Sequence, residues 1–277
     1  MMVTITAVNT AGIFYEKKDD IYYQLTTKIA KPLKDYHNGW IKSNFIYLYC
    51  GAKNTKNGKR GMRILDVGCG IGGNANYLQE KGYKVETLSP DHFQQSVIKE
   101  KFNGTMKFHH CKFENFHPSK EYDLILESES VCYIKIDLGF KKARDTLKNG
   151  GYLLASDYFV HFRDGSKNSH LKSSHDKEKY LASAKANGFE LIQEFDQTEN
   201  TMPTLDYGKY FIGRFINPAM EYGIYSAKKN YPKTSAIIGK MIAPKIESKL
   251  NQLDLIDSEQ FRKYRQYMIY LFQKKDA

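Results

Sequence analysis

The residues of this chain best able to do chemistry fall in two short stretches. The first is Gly68-Cys69-Gly70-Ile71-Gly72-Gly73, directly after the apolar run 63–67. Glycine adopts backbone conformations closed to other residues and lets a ligand approach the main chain. Set between a strand and a helix, such a loop also aims free helix N–H groups at polar ligand atoms. Gly68, Gly70 and Gly73 satisfy the spacing GxGxxG, which dinucleotide-binding folds use. By itself the loop therefore admits a nicotinamide enzyme.

The second stretch is Glu127-Ser128-Glu129-Ser130-Val131-Cys132-Tyr133, at the end of an apolar run that starts at Tyr122. In open α/β sheets, ligands bind at the carboxyl ends of the strands. A carboxylate there, Glu129, can take a proton from a nucleophile or stabilise a cation. Strand alternation puts Glu127 on the same face as Glu129, and two neighbouring carboxylates raise one pKa. Tyr133 offers a hydroxyl to hydrogen-bond the nucleophile. His109 and His110 fall in a strand and read as structural, while His161, His170 and His175 follow the fifth strand in a polar loop.

The elements that must position these residues alternate. Strands are predicted over 63–67, 83–88, 106–113, 122–129, 152–158, 189–195 and 266–273. Helices are predicted over 74–81, from Ser89-Pro90 to about 103, over 137–148 and over 177–187. Ser89 is read as the N-cap, with Pro90 at the first helical position. The pattern implies an α/β, Rossmann-like fold: a seven-stranded, mostly parallel sheet with helices on both faces and a helical cap. We divide the chain into an N-terminal helical cap or lid (1–60), the core (61–203), a helical cap insertion (204–261) and the final strand of the sheet (262–277).

Composition narrows the class. The 41% hydrophobic content supports a sizeable core and excludes a disordered chain. A net charge of +11 raises nucleic acid, an anionic membrane or a phosphorylated ligand as partners. The basic residues are scattered, however, and form no run interleaved with aromatics, so a lysine-rich solvated surface accounts for them. Cys50, Cys69, Cys111 and Cys132 form no CxxC pair and fit no zinc spacing, so no metal is expected and a reduced, cytoplasmic setting is. No signal peptide is read at the N-terminus. No apolar run approaches the roughly 18 residues of a transmembrane helix, which leaves peripheral membrane contact open. The oligomeric state is not encoded in any feature read here.

RILDVGCGIGG, residues 63–73, resembles the first motif of the class I S-adenosylmethionine (SAM)-dependent methyltransferases. Three features separate it from dinucleotide folds. Asp66 stands where those folds carry an apolar residue, the motif follows a long leader, and the second strand ends at Thr87 without an acid. The resemblance implies SAM as cofactor, S-adenosylhomocysteine as product, and Asp66, Gly68, Cys69, Gly70 and Gly72 as cofactor contacts. Thr87-Leu88-Ser89-Pro90 resembles the TLSP segment of cyclopropane fatty acid synthases, which gives Thr87 to the ribose. Phe113-Glu114 resembles their aromatic-Glu pair, which gives Phe113 to stacking on adenine and Glu114 to its amine; Lys112 departs from the acid common at that position. Residues 14–22 resemble the HYDxxDDFY stretch of the same relatives. Residues 37–40 resemble HYGYW of small-molecule methyltransferases. Tyr15 is thereby assigned to the cofactor, and Tyr22 and Trp40 to the acceptor.

The stretch 122–134 resembles FDxxWNNESTMYV of geranyl diphosphate C-methyltransferases. Tocopherol and sugar O-methyltransferases share its Glu-Ser pair at Glu129-Ser130. Cyclopropane synthases carry Glu-His where this chain has Cys132-Tyr133, which argues against cyclopropanation. The resemblance thus implies methyl transfer to a small molecule, with Glu129, Tyr133 and Glu127 as catalytic residues and Ser130 and Tyr158 on the acceptor side. An apolar, isoprenoid or lipid-like acceptor methylated on carbon is placed first, and an amine or phenol methylated on nitrogen or oxygen second. A nucleic-acid methyltransferase is the competing class. Its Pro-Pro-aromatic motif after the fourth strand is replaced here by Glu-Ser-Val-Cys-Tyr, so nucleic acid is not the expected partner. A catalytically silent SAM-binding subunit is the third class.

Overall fold

A computed structural model describes residues 61–162, 174–232 and 257–276. Seven strands form one sheet in the order β3-β2-β1-β4-β5-β7-β6. They are β1 (Arg63–Val67), β2 (Lys84–Leu88), β3 (Lys107–His109), β4 (Tyr122–Ser128), β5 (Leu147–Val160), β6 (Phe189–Asp196) and β7 (Arg265–Lys274). β1 through β5 pair in parallel, and β7 runs antiparallel between β5 and β6. The sheet is therefore mostly parallel, as the alternation of apolar runs implies.

Helices cover both faces. On one, α1 (Gly73–Glu80) and α2 (His92–Lys101) bring Ala75, Leu78 and Ile98 against Ile64, Leu124, Leu126, Leu154, Ile269 and Leu271. On the other, α3 (Ile136–Thr146) and α4 (Lys177–Ala186) bring Phe140, Ala143, Tyr180 and Ala184 against Leu65, Ile125, Leu153 and Phe159. Phe140 lies 4.8 Å from the Tyr180 ring and 5.7 Å from Phe272. Each fully buried side chain of this size contributes about 1.5–3 kcal/mol.

Several boundaries differ from the sequence expectation, each for a local reason. α2 is capped by Asp91, whose carboxylate accepts from the Gln94 N–H at 2.9 Å; Ser89 instead accepts from the Asp91 N–H at 3.2 Å. β3 stops at His109, because the chain then turns into a single 3-10 turn at Phe113–Asn115. β5 already begins at Leu147, and the Asn149-Gly150-Gly151 segment bulges between the pairs Tyr122–Leu147 and Leu124–Tyr152. After β6, helix α5 (Thr198–Phe211) passes through one π turn (Ile212–Ile216) into α6 (Asn217–Asn230). Helix α7 (Ser258–Tyr264) leads into β7, so the last segment opens as a helix rather than a strand. The expected cap over 1–60 lies outside the described residues.

Glu86 of β2 ties four strands together. Its carboxylate accepts from Arg63 at 2.6 Å on β1, Tyr122 Oη at 2.7 Å on β4 and His109 Nε2 at 2.7 Å on β3, with Lys107 Nζ at 3.2 Å. Burial pushes this carboxyl up, but the hydrogen bonds from Tyr122, His109 and Lys107 outweigh it and hold the group down at about 2.

Candidate active site

The glycine loop leaves β1 at the carboxyl edge of the sheet. Gly68, Gly70 and Gly72 have φ of 72°, 54° and 79°, the left-handed region that side chains disfavour. Packing adds a second demand at two of them. A Cβ on Gly68 would lie 2.3 Å from Ser130 Cβ, and one on Gly72 would lie 2.6 Å from Ile98 Cδ1. At Gly70 nothing among the described residues stands within 4 Å of that position. Lys101 of α2 donates to the Ile71 carbonyl at 3.1 Å and steadies the loop from its far side.

Around the loop, Asp66 is buried at the end of β1, in register with Thr87 and Leu126. Cys69 is buried, and burial followed by the charge of Asp66 pushes its thiol well above the usual range, so it stays protonated. Thr87 is wholly buried and donates to the Lys107 carbonyl at 3.1 Å. Phe113 packs inside the core on the α3 face, and Glu114 accepts from the Lys135 N–H at 3.1 Å. The structure thus brings Asp66, Gly68, Cys69, Gly70 and Gly72 together. It turns Thr87 and Phe113 inward and sets Glu114 at the start of α3.

The turn after β4 carries the residues expected on the acceptor side. Glu129 has φ 57°, although it is not glycine. A left-handed conformation costs such a residue on the order of 1–2 kcal/mol, and strain of this kind gathers at functional sites. Its N–H donates to the Ser156 carbonyl at 2.7 Å, and its carboxylate accepts from Tyr267 Oη of β7 at 2.9 Å. The left-handed step ends the strand alternation. Glu127 and Glu129 therefore do not share a face: Glu127 points toward Phe140 and Tyr180 under α3 and α4, while Glu129 reaches Tyr267.

Glu127 does have a raised pKa, pushed up to about 8 by burial first and then by Asp157 and Glu114. The neighbour expected to raise it, Glu129, is not the cause. At neutral pH Glu127 is a neutral acid. Ser130, expected on the acceptor side, is buried and donates to the Val67 carbonyl at 2.7 Å. Tyr133 is 78% exposed, with its hydroxyl raised by Cys132, partial burial, Asp157 and Glu129. Tyr158 lies under the Arg265 guanidinium at 5.2 Å, and its phenol is pushed up by burial, then by Cys132 and Asp157. His175 Nε2 meets the carbonyls of Val131 and Ile134 at 2.9 and 2.8 Å, which gives it a structural role. Tyr15, Tyr22 and Trp40 lie outside the described residues.

Sequence reasoning missed Asp157 and Tyr267. Asp157 falls inside the predicted strand 152–158, and the available signal is an acid in a mainly apolar run. Tyr267 comes from the last strand, and nothing in a linear pattern links it to Glu129.

A mostly parallel sheet with an antiparallel seventh strand and a glycine loop after β1 is the architecture of the class I SAM-dependent methyltransferases. The residues present are compatible with that cofactor: nothing among the described residues crowds Gly70, and Asp66 supplies a buried carboxylate near the end of β1. When bound, SAM supplies a methyl group activated by its positive sulfur. A family model described as a methyltransferase domain matches residues 46–201, and the chain belongs to this family. It is 27% identical to phosphoethanolamine N-methyltransferase 1 of Zea mays over 214 residues, covering 70% of this chain and 41% of that protein. The chain spans less than half the length of the curated relatives it matches. A solved structure of phosphoethanolamine N-methyltransferase 2 of Haemonchus contortus, with phosphomonomethylethanolamine and S-adenosylhomocysteine, shares its fold. The TM-score is 0.58 at 18% identity, over 91% of this chain and 56% of that one. Geranyl diphosphate C-methyltransferase of Streptomyces coelicolor A3(2) matches with TM-score 0.54 at 14% identity, over 77% and 72%. No helix among the described residues is long and apolar enough to cross a membrane.

Proposed function

We propose that this enzyme methylates the nitrogen of a small amine, with Glu129 at the acceptor. The observation that carries this reading is the Glu129 carboxylate, held in a left-handed turn and hydrogen-bonded to Tyr267 at the carboxyl edge of the sheet. An amine arrives largely protonated and leaves as a substituted ammonium. A carboxylate attracts the first, takes the proton that must leave, and stabilises the second. Tyr133 and Tyr158, both kept protonated, can donate to the rest of the acceptor. The maize and nematode relatives, named for phosphoethanolamine N-methylation, support the same class. Methylation of carbon in an isoprenoid acceptor, placed first by sequence, retains the Glu129-Ser130 pair in its support and uses Glu129 to stabilise a carbocation. The buried Asp157 and the partly buried Glu114 add negative character to the site, which an apolar acceptor does not need. The free thiols Cys69, Cys111 and Cys132 fit a reducing, cytoplasmic setting.

The test is a mass-shift assay with SAM and three acceptors: ethanolamine, phosphoethanolamine and geranyl diphosphate. A methylated amine is the expected product. Product from geranyl diphosphate alone would overturn the amine reading.

A further inference from the structure

Beyond its charge, Asp157 is nearly fully enclosed, at 1% exposure, and hydrogen-bonds the turn after β4. Its Oδ2 accepts from the Cys132 N–H at 3.1 Å, and its Oδ1 accepts from the Tyr158 N–H at 2.8 Å. One carboxylate thus joins the turn that ends in Tyr133 to the part of β5 that carries Tyr158. The same turn is anchored at its start by Ser130 on the Val67 carbonyl and by the Glu129 N–H on the Ser156 carbonyl. Asp157 supplies the brace at the other end. Buried hydrogen bonds to a charged acceptor are stronger than neutral ones and fix geometry tightly. The charge of Asp157 also acts on Glu127, Cys132, Tyr133, Tyr158 and Tyr180 and favours the protonated form of each.

We propose that Asp157 is a positioning residue for methyl transfer, which sets the spacing of Tyr133, Tyr158 and Glu129 before the acceptor binds. This rests on the reading of Glu129 as the acceptor-side carboxylate. No atom of Asp157 needs to touch either substrate. Its loss should therefore reduce turnover and leave cofactor affinity intact, because the glycine loop is braced separately by Lys101 and Ser130.

Asp157→Asn keeps the shape but replaces one acceptor with a donor, which opposes one of the two N–H groups. Hydrogen–deuterium exchange on the full chain reads the brace without any acceptor. Amides 132 and 158 should exchange about tenfold faster, with β1 unchanged; unchanged exchange at both amides overturns the proposal. Titration with S-adenosylhomocysteine should give an affinity within about twofold of wild type. With SAM and phosphoethanolamine as the probe pair, kcat should fall on the order of a hundredfold. Asp157→Glu, which restores the charge, should recover part of that rate. Wild-type kcat in Asp157→Asn overturns the proposal. If the wild-type enzyme leaves phosphoethanolamine unmethylated, the amine reading is what suffers, and the exchange result still decides the brace. Should Asp157→Asn fail to fold, Asp157→Ser, smaller and uncharged, enters the same comparisons.

Discussion

At the scale of the residue, Glu127 and Glu129 show how two nearby carboxylates acquire opposite duties. A strand pattern places them on one face, and one left-handed φ separates them. That angle was not legible, because only glycine announces a left-handed position in a sequence. The consequence for Glu129 is chemical. Glu129→Gln should lower turnover by about 10²–10⁴-fold while S-adenosylhomocysteine still binds; turnover within a few-fold of wild type would remove Glu129 from catalysis. The consequence for Glu127 is a pH dependence. Its carboxyl is raised from 4.5 to about 8 in the folded chain, so the folded state holds a proton that the unfolded state releases. Its contribution to stability is present below about 4.5 and is lost as pH rises through about 8. Thermal melts across that window should show this decline in the wild type and a flatter profile in Glu127→Gln. An equal decline in both would show that Glu127 ionises normally.

At the scale of the element, the glycine loop and its strand were legible, because an apolar run followed by alternate glycines has few other uses. The division of labour among those glycines was not. Gly68 is bound to its position by Ser130, which lies 2.3 Å from the site of a missing Cβ; Gly70 meets nothing among the described residues. Gly68→Ala should therefore destabilise the fold by several kcal/mol, from clash plus left-handed strain. Gly70→Ala should cost only about 1–2 kcal/mol from its φ and show its main effect in weaker cofactor binding. Melting curves and cofactor titration of the two variants separate these outcomes, and equal stability losses would refute the distinction. The third strand was misjudged for a different reason. His109-His110-Cys111 carries no turn residue, yet the His110 ring packs on His92 at 4.0 Å and the chain leaves the sheet. The family pattern gives Thr87 and Phe113 cofactor roles, and the structure buries both side chains at the carboxyl edge of the sheet.

At the scale of the whole molecule, the sheet depends on a segment far along the chain. β7 pairs with β5 from Tyr152–Gln273 to Val160–Arg265 and with β6 from Phe189–Lys274 to Asp196–Met268. Alternation of strands and helices made seven strands visible, but a linear reading cannot reveal that the seventh inserts between the fifth and sixth. Removing residues 265–277 should therefore abolish folding, not just activity, since β6 would lose its partner and Glu129 its tyrosine. A truncated chain with native circular dichroism and a cooperative melt would show that β7 is dispensable. Glu86 gathers four strands in the other half of the sheet. Its carboxyl is depressed from 4.5 to about 2, so its contribution is present above about 4.5 and lost as pH falls through about 2. Glu86→Gln should lower stability by about 1–2 kcal/mol at neutral pH, with the gap to wild type closing in acid.

The φ of 57° at Glu129 has one more implication. If Glu129 acts as proposed, its left-handed turn sets chemistry against folding, because glycine would fit that backbone better than glutamate does. Glu129→Gly should be inactive and yet melt higher than the wild type; a lower melting temperature would show that the bond to Tyr267 outweighs the backbone strain. A dead enzyme sturdier than the living one would mark the place where selection for reactivity prevailed over selection for rigidity.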